Sequence, residues 1–329
     1  MSSLGVQFTD DALEARVQAG IDEIERQLTI AVDSPEAFVA EAAAHLLNAG
    51  GKRFRPLLVM LAAEFGDQAH ADVPRAAVVV ELTHLATLYH DDVMDEASMR
   101  RGAPSANSRW GNSVAILVGD YLFAQASDLV SDLGPESVRI QARTFSRLVQ
   151  GQIRETLGPG EGDDQLEHYL SVVADKTGSL IATAARLGAK MAGVPLDVQD
   201  TLTEFGERIG AAFQLSDDII DIASETDDSG KTPGTDLREG VPTLPTLLAL
   251  RSTDPESKRL RSLLARPLTD DAELAEAITL LRVHPAMDEA RAYVRAETDA
   301  AQVLLAKLPD NAARDALQAL CTTVATRLG

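Results

Sequence analysis

The spacing of apolar residues is the feature that most restricts how this chain can fold. Over residues 10–28, apolar side chains recur every three or four positions, which is the repeat of an amphipathic α-helix. Similar stretches cover most of the 329 residues. Alternating runs of β-branched and aromatic residues are scarce, and aromatic residues make up only 4% of the chain. The sequence therefore predicts one all-α domain over residues 1–329.

The pattern also places the main helices and one long loop. Ser34-Pro35-Glu36 predicts an N-cap with proline in the first helical turn. Residues 226–241 are poor in helix formers, and a loop of this length inside a compact domain is often functional. The longest helices are expected at residues 10–28, 74–95, 113–133, 136–157, 165–193 and 196–223.

Charge and composition exclude several classes of protein. Asp plus Glu number 51 and Lys plus Arg number 30, a net charge of −21, which disfavours nonspecific nucleic-acid binding and a cationic membrane patch. The single cysteine, Cys321, allows no intrachain disulfide. We recognise no signal peptide and no apolar run of about 18 residues, so we expect no transmembrane segment and a cytoplasmic location.

Two acidic clusters carry most of the chemical information. Asp91 and Asp95 are four residues apart at the end of an apolar helix, so they share a helix face, with Asp92 beside them. Asp217 and Asp221 repeat this spacing in a second apolar helix. Crowded carboxylates repel one another, and hard divalent cations such as Mg²⁺ relieve that repulsion and also bind phosphate oxygens. Two such clusters facing each other could hold several cations and clamp one diphosphate.

Groups of cations stand out in an otherwise acidic chain. Lys52, Arg53 and Arg55 directly follow two glycines, which allow the backbone to approach a ligand closely. Their flanking residues are apolar, which places the cations at the boundary of the core, where they could grip a phosphate. Further cations follow the two clusters: Arg100, Arg101, Lys176, Lys231 and Arg238.

Taken together, these motifs resemble those of the trans-isoprenyl diphosphate synthases, or polyprenyl synthetases, and in particular of the bacterial long-chain members. The motifs stand in the family's order from Gly50 to about Leu250. They are Gly50-Gly51-Lys52-Arg53-Phe54-Arg55-Pro56, His90-Asp91-Asp92-Val93-Met94-Asp95, Arg100-Arg101-Gly102, Gly119-Asp120, Lys176-Thr177, Phe213-Gln214-Leu215-Ser216-Asp217-Asp218-Ile219-Ile220-Asp221 and residues 230–240.

The resemblance implies a helical bundle around a deep central cavity, usually in a homodimer. It implies a transferase that condenses an allylic diphosphate with isopentenyl diphosphate, with three Mg²⁺ ions and no side-chain nucleophile. The implied metal ligands are Asp91, Asp92, Asp95, Asp217 and Asp221, supported by Asp218. The allylic diphosphate would contact Arg100, Lys176, Gln214 and Lys231, with Thr177 near the reacting carbons. Isopentenyl diphosphate would bind Lys52, Arg55, His84 and Arg101, and Arg53 of the same loop is a further expected substrate-binding residue.

The sequence departs from the family pattern at two places. The family often has Lys after the Glu-Gly of the long loop, where this chain has Val241, so one diphosphate contact is in doubt. Family members commonly have Gly-Glu and then, three residues later, Gln. This chain has Gly151-Gln152-Ile153-Arg154-Glu155 instead. Arg154 or Glu155 could therefore rearrange that wall. Neither change removes an expected metal ligand.

Product length depends on the wall of the cavity before the first cluster. Thr83 and Ala86 share a helix face one to two turns before Asp91. The stretch from Ala86 to Asp92, with a small residue at its start, resembles that of the long-chain synthases that supply quinone side chains, so we expect a long product. If another residue, for example Phe123, closed the cavity, the product would instead be farnesyl or geranylgeranyl diphosphate.

Other functions explain less of the sequence. A terpene cyclase or a head-to-head synthase would not need the cations of residues 52–55. A partner-dependent subunit would be expected to lack carboxylates, and a di-iron protein would need Glu-x-x-His pairs, of which Glu81 and His84 are a single instance.

Overall fold

The computed structural model describes residues 6–223 and 233–327 and confirms the all-α fold class. The described helices in the first half are α1 Asp11–Ala31, α2 Ala37–Asn48, α3 Phe54–Ala63, α4 Asp72–Met94, α5 Ala106–Trp110, α6 Asn112–Asp132, α7 Pro135–Leu157 and α8 Gln165–Val173. Those in the second half are α9 Ser179–Met191, α10 Leu196–Ala223, α11 Thr235–Glu239, α12 Leu244–Arg251, α13 Lys258–Leu264, α14 Asp271–Arg282, α15 Pro285–Leu305 and α16 Ala312–Thr326.

The chain divides into two compact units. The first unit consists of Met1–Phe145, Leu180–Gly206 and Lys307–Ala319; the second consists of Ser146–Ser179, Glu207–Ala306 and Leu320–Gly329. The single-domain organisation expected from the sequence stays a prediction.

Helix α4 forms the centre of the first unit. It packs most extensively on α6 and also contacts α3 and α1. Its apolar residues lie on nearly every side, and Val79, Leu82 and Leu85 are fully buried, which explains why this segment shows no single apolar stripe. Helix α9 approaches α3 closely at Gly188, where a Cβ atom would lie 2.3 Å from the carbonyl oxygen of Val59.

The second unit contains a smaller core around α12, which packs on α15, α8 and α13. Leucines of α11, α13 and α14, together with Leu268, form a separate buried cluster. Helix α11 lies inside the stretch that the sequence marks as helix-poor, so that expectation is wrong for residues 235–239. Glycines in the left-handed conformation, Gly234 and Gly240, flank this short helix on both sides.

Two other local predictions need correction, and the structure adds one element that the sequence analysis left unassigned. The helix expected at 165–193 is two helices, α8 and α9, joined by the wide π-helical turn Ala174–Gly178. Helix α2 has Glu36 rather than Ser34 as its N-cap residue, and the Ser34 hydroxyl accepts a hydrogen bond from the Glu36 N–H group outside the helix. Residues 99–104, unassigned in the sequence, form a two-stranded antiparallel hairpin, β1 Met99–Arg100 and β2 Ala103–Pro104.

Helix α6 is long and apolar enough to cross a membrane by length and composition, contrary to the expectation that no segment would be. Val118, Leu122 and Ala126 of this helix are buried in the first unit, whereas Ile116 and Leu117 are exposed. Core helices of soluble proteins pass the same test, so the finding is weak evidence for membrane insertion.

Candidate active site

The first acidic cluster lies at the C-terminal end of α4. Asp91 is half-buried, Asp92 is fully buried, and Asp95 is the exposed C-cap residue, whose N–H group donates to the Asp91 carbonyl oxygen. The C-terminus of a helix carries partial negative charge, so carboxylates placed there are unfavourable without a cation. The geometry therefore concentrates negative charge at one helix end.

Asp92 has one oxygen bound and one oxygen unsatisfied among the described residues. Its Oδ1 atom accepts a hydrogen bond of 2.6 Å from Nε of Arg100, whereas its buried Oδ2 atom has no hydrogen-bond partner there. Burial raises the pKa of Asp92, and the Arg100 charge opposes that shift. An unsatisfied buried carboxylate oxygen is costly, and a bound cation would satisfy it.

Gly119 explains why α6 can approach the first cluster so closely. A Cβ atom at this position would lie 2.3 Å from Nε2 of His90, too close for any side chain. The same His90 nitrogen lies 3.1 Å from the Ile116 carbonyl oxygen and 3.4 Å from the Asp120 carboxylate. The Gly119-Asp120 motif thus fixes the histidine that precedes the acidic cluster.

Arg53 is buried inside the first unit instead of facing a ligand. Its guanidinium donates to Glu25, to Glu81 at 3.1 Å and to the Leu47 carbonyl oxygen at 3.2 Å. Its backbone is in the left-handed region, with φ 46°, which is strained for a residue with a side chain. These contacts give Arg53 a role in holding the loop that carries Lys52.

The β1–β2 hairpin aims Arg101 at the same loop. Arg101 and Gly102 form its two-residue turn, with φ 53° and 78°, and such turns need positive φ at both positions. The Arg101 guanidinium donates to the carbonyl oxygens of Leu46, at 3.0 Å, and Gly50. A Cβ atom on Gly51 would lie 3.0 Å from the Arg101 Cζ atom, so the second glycine of the loop makes room for this cation.

Arg55 and His84 complete this cationic group. Arg55 is half-buried, and its buried Nε atom has no hydrogen-bond partner among the described residues. Burial lowers the pKa of Arg55 to about 10, and burial with the neighbouring charges of Arg55 and Arg101 lowers the pKa of His84 well below its usual value. Because these neighbouring positive charges lower one another's pKa, a bound anion would stabilise the group.

The lowered pKa of His84 predicts a pH-dependent stability. In the unfolded chain a histidine titrates near pH 6.5, whereas folded His84 resists protonation, so the unfolded state binds more protons below about pH 6.5. The free energy of unfolding should therefore fall as the pH is lowered through that value. Urea unfolding at about pH 7.5 and about pH 5.5 should show a smaller loss for His84→Gln than for the wild type.

The exposed His70 supplies the control for this measurement. His70→Gln should keep the full loss of the wild type. Equal losses in all three proteins would contradict the role of His84.

The second acidic cluster lies in the last turns of α10, within the second unit. Asp217 is half-buried, whereas Asp218 is buried. Asp218 accepts hydrogen bonds from the Tyr169 hydroxyl and from the Leu244 N–H group at 3.2 Å, and burial raises the pKa of Asp218 to about 7. Asp221 accepts from the N–H group of Asp236 at 3.4 Å. The inner carboxylate is thus fixed by the protein, while Asp217 remains accessible.

Tyr169 is a residue of this site that the sequence analysis missed. Tyr169→Phe removes the hydroxyl that donates to the buried Asp218 carboxylate, and we expect the free energy of unfolding to fall by about 1–3 kcal/mol. Tyr121→Phe is the control, because the Tyr121 hydroxyl donates to an exposed backbone carbonyl. Similar small losses in both variants, measured by urea unfolding, would show that the Tyr169 hydrogen bond carries no special weight.

The π-helical turn between α8 and α9 presents Lys176 and Thr177. The Thr177 hydroxyl donates to the Gln214 Oε1 atom at 3.3 Å, and the Gln214 Nε2 atom donates to Asp218 at 3.3 Å. This chain of hydrogen bonds links the turn to the second cluster. Such wide turns are frequent at functional sites.

The unusual segment after Gly151 pairs with the same turn. Glu155 accepts a hydrogen bond from Lys176 Nζ, and Arg154 donates to Asp175, the residue directly before Lys176. A Cβ atom on Gly151 would lie 3.0 Å from the Lys176 backbone nitrogen, so the glycine allows α7 to pass close to the turn. Arg154 and Glu155, which depart from the family pattern, therefore each form an ion pair with a residue of the π-helical turn.

Arg327, near the end of the chain, contacts the second cluster. Its guanidinium lies 3.0 Å from Asp217 Oδ1, donates to the Phe213 carbonyl oxygen at 2.7 Å and stacks on the Phe213 ring. No motif spacing in the chain connects this residue to the site, about 110 positions after Asp217.

The remaining predicted site residues are the two expected to line the path of the product and Lys231. Thr83 and Ala86 are fully buried in α4, where Thr83 accepts a hydrogen bond from the Gln141 side chain. Lys231 lies outside the described residues. Within residues 6–223 and 233–327, no three His, Cys, Asp or Glu side chains are arranged to hold a metal ion by themselves.

Comparisons with known proteins agree with this geometry. The polyprenyl synthetase family matches residues 36–281. The chain is 52% identical to a nonaprenyl diphosphate synthase of Mycobacterium tuberculosis over 326 residues, covering 99% of this chain and 97% of the relative. It is 44% identical to a dimethylallyltranstransferase of the same organism, covering 96% of each.

Solved structures give the same result. A geranylgeranyl pyrophosphate synthase from Corynebacterium glutamicum, complexed with calcium and isoprenyl diphosphate, superposes with a TM-score of 0.89. The two proteins are 48% identical, and the match covers 98% of this chain and 100% of the other. With both acidic clusters and the cationic loop present, this chain belongs to the polyprenyl synthetase family and is a prenyltransferase.

Proposed function

We propose that this enzyme condenses an allylic diphosphate with isopentenyl diphosphate, in the presence of Mg²⁺, to build an all-trans polyprenyl diphosphate. The observation that carries the proposal is the complete pair of acidic clusters, each at a helix C-terminus, together with a separate cationic loop. Carboxylates suit a diphosphate bound through metal, and cations suit a diphosphate bound directly. A prenyl condensation needs both kinds of site.

The residues present fit a magnesium-binding role. Asp92 has a buried oxygen without a partner among the described residues, and Asp217 is accessible on α10. We propose that Asp91, Asp92, Asp95, Asp217 and Asp221 hold a cluster of three ions, as the family resemblance implies. Bound Mg²⁺ would neutralise the charge that develops on the departing diphosphate.

The cations divide between the two substrates. Lys52, Arg55, His84 and Arg101 would hold isopentenyl diphosphate. The buried Arg55 Nε atom has no hydrogen-bond partner within residues 6–223 and 233–327, and an anion would offset the positive charges that lower the pKa of His84. Arg100, Lys176, Gln214 and Lys231 would hold the allylic diphosphate. Arg53, which is buried in ion pairs, would fix the loop.

The reaction then needs positioning and charge stabilisation. The allylic C–O bond breaks, the isopentenyl double bond attacks the allylic carbon, and a new C–C bond forms. A proton leaves the adjacent carbon, and the released diphosphate is a suitable acceptor. Thr177 and Gln214, linked by a hydrogen bond, would orient the group that leaves.

A long product is the form of this function that we favour. The 52%-identical relative is named as a nonaprenyl diphosphate synthase. A small side chain at Ala86 is also what a path for a growing chain along α4 would require. The relatives named dimethylallyltranstransferase and geranylgeranyl pyrophosphate synthase correspond to a shorter product. We propose quinone side chains as the use of the long product.

Homodimer formation and cytoplasmic location complete the proposal. Ile116 and Leu117 on α6 expose apolar surface in the first unit that a second copy could cover. A transient membrane contact would release the long apolar product.

The proposal is tested by incubating the purified chain with Mg²⁺, labelled isopentenyl diphosphate and one allylic primer at a time. Dephosphorylated products would be sized by chromatography, and we expect a ladder of long prenyl alcohols. A ladder that stops at three or four units would assign a short-chain synthase. No elongation, with cyclic hydrocarbon in the extract, would assign a terpene cyclase, and activity only after adding a partner protein would assign a dependent subunit.

A further inference from the structure

The second unit contains a cavity that the proposed reaction does not use. It has a volume of about 190 Å³ and lies among α8, α11, α12 and the end of α13. Its walls are mainly aliphatic: Leu237, Val241, Leu247, Leu250, Leu264 and Leu268. Most apolar surface of this kind is filled by side chains in a packed core, so a cavity with aliphatic walls is a place where an apolar ligand can bind.

The four ionisable side chains that line the cavity are already paired within the unit. Glu155 pairs with Lys176, His168 with the Arg154 carbonyl oxygen, Tyr169 with Asp218, and Arg266 with Glu273. A charged ligand group inside the cavity would have to break one of these contacts and be desolvated. The cavity is therefore suited to neutral hydrocarbon.

Its size limits that hydrocarbon. A dry engineered cavity of roughly 150 Å³ binds benzene, which has six carbons. A cavity of about 190 Å³ thus matches one to two isoprene units. Branched five-carbon units also suit a wall made of leucine and valine side chains, because both surfaces are irregular and aliphatic.

We propose that this cavity binds the hydrocarbon end of a prenyl compound, separately from the diphosphate-binding residues. The choice of ligand rests on the proposed function, since prenyl chains are then the hydrocarbons that the enzyme meets. The cavity shares two walls with the second acidic cluster: Tyr169, which donates to Asp218, and α11, whose Asp236 N–H group donates to Asp221.

Geraniol is the probe, because this ten-carbon prenyl alcohol has no diphosphate to bind metal. The full chain would be titrated with geraniol in a chelator by calorimetry. Val241 lines the cavity and is 41% exposed, so Val241→Glu and Val241→Trp should fold normally while adding charge or bulk there. Each should weaken geraniol binding at least about tenfold. Val283→Glu and Val283→Trp, at a site 82% exposed, should leave it unchanged.

A further variant separates this cavity from the proposed elongation tunnel. Binding that is lost in Ala86→Phe but retained in both Val241 variants would overturn the proposal, as would no geraniol binding by the wild type. Turnover with Mg²⁺ is measured in parallel on the wild type. Normal turnover without cavity binding would refute this inference alone, whereas cavity binding without turnover would refute only the proposed function.

Discussion

Asp217→Ala should lower Mg²⁺-dependent turnover by about 10³-fold or more, because neutralising charge on the departing diphosphate is worth several kcal/mol. Asp217 is the accessible carboxylate of the second cluster, and its loss should also weaken Mg²⁺ binding. Steady-state turnover over a range of Mg²⁺ concentrations, with metal binding by calorimetry in the presence of pyrophosphate, measures both effects.

The control for this substitution lies on the same helix. Asp197→Ala removes an exposed carboxylate from the N-terminal turn of α10, far along the helix from the cluster, and should leave turnover unchanged. Circular dichroism checks that both variants keep their helices. Turnover by Asp217→Ala close to that of the control would refute the proposed metal ligand set.

Ala86→Phe should shorten the products, which is the second large effect. Ala86 is fully buried in α4, on the face that also carries Thr83, and a phenyl ring there would block the path that we propose for the growing chain. The longest product should fall to the short-chain range, and Ala86→Val should give intermediate lengths. Chromatography of the dephosphorylated products measures the shift.

Because Ala86 is buried, its replacement can also destabilise the fold, and stability is the necessary control. A large side chain in a packed core costs typically about 1–3 kcal/mol, so the unfolding of each variant must be measured beside its products. An unchanged ladder from folded Ala86→Phe would place the floor of the path elsewhere. Phe123, whose ring packs at a tilt against that of Phe145 with centroids 4.3 Å apart, would then be the next residue to replace.

The sequence predicted the parts of this structure that depend on local patterns. Helix-favouring composition and three- and four-residue spacing located α1, α4, α6, α7 and α10 within a few residues. The sequence also located both acidic clusters at helix ends, since their spacing is visible in the chain itself.

Other features depend on contacts between distant residues and so escaped the sequence analysis. Tyr169 reaches Asp218, 49 residues later, and Arg327 reaches Asp217 from near the C-terminus. The sequence suggested Arg53 as a ligand-binding group, but the structure pairs it with Glu25 and with the buried Glu81. Residue type and spacing identify a charge, but only tertiary packing shows whether that charge is already neutralised.

The π-helical turn at Ala174–Gly178 has a consequence for how this segment can vary in evolution. Successive residues of an α-helix are rotated by about 100°, so one residue removed from the turn would change the phase between α8 and α9 by that angle. Tyr169 and Thr177, on either side of the change, could then no longer both reach the second acidic cluster. Substitutions here are constrained by side-chain chemistry, but single-residue insertions and deletions are constrained by helical phase.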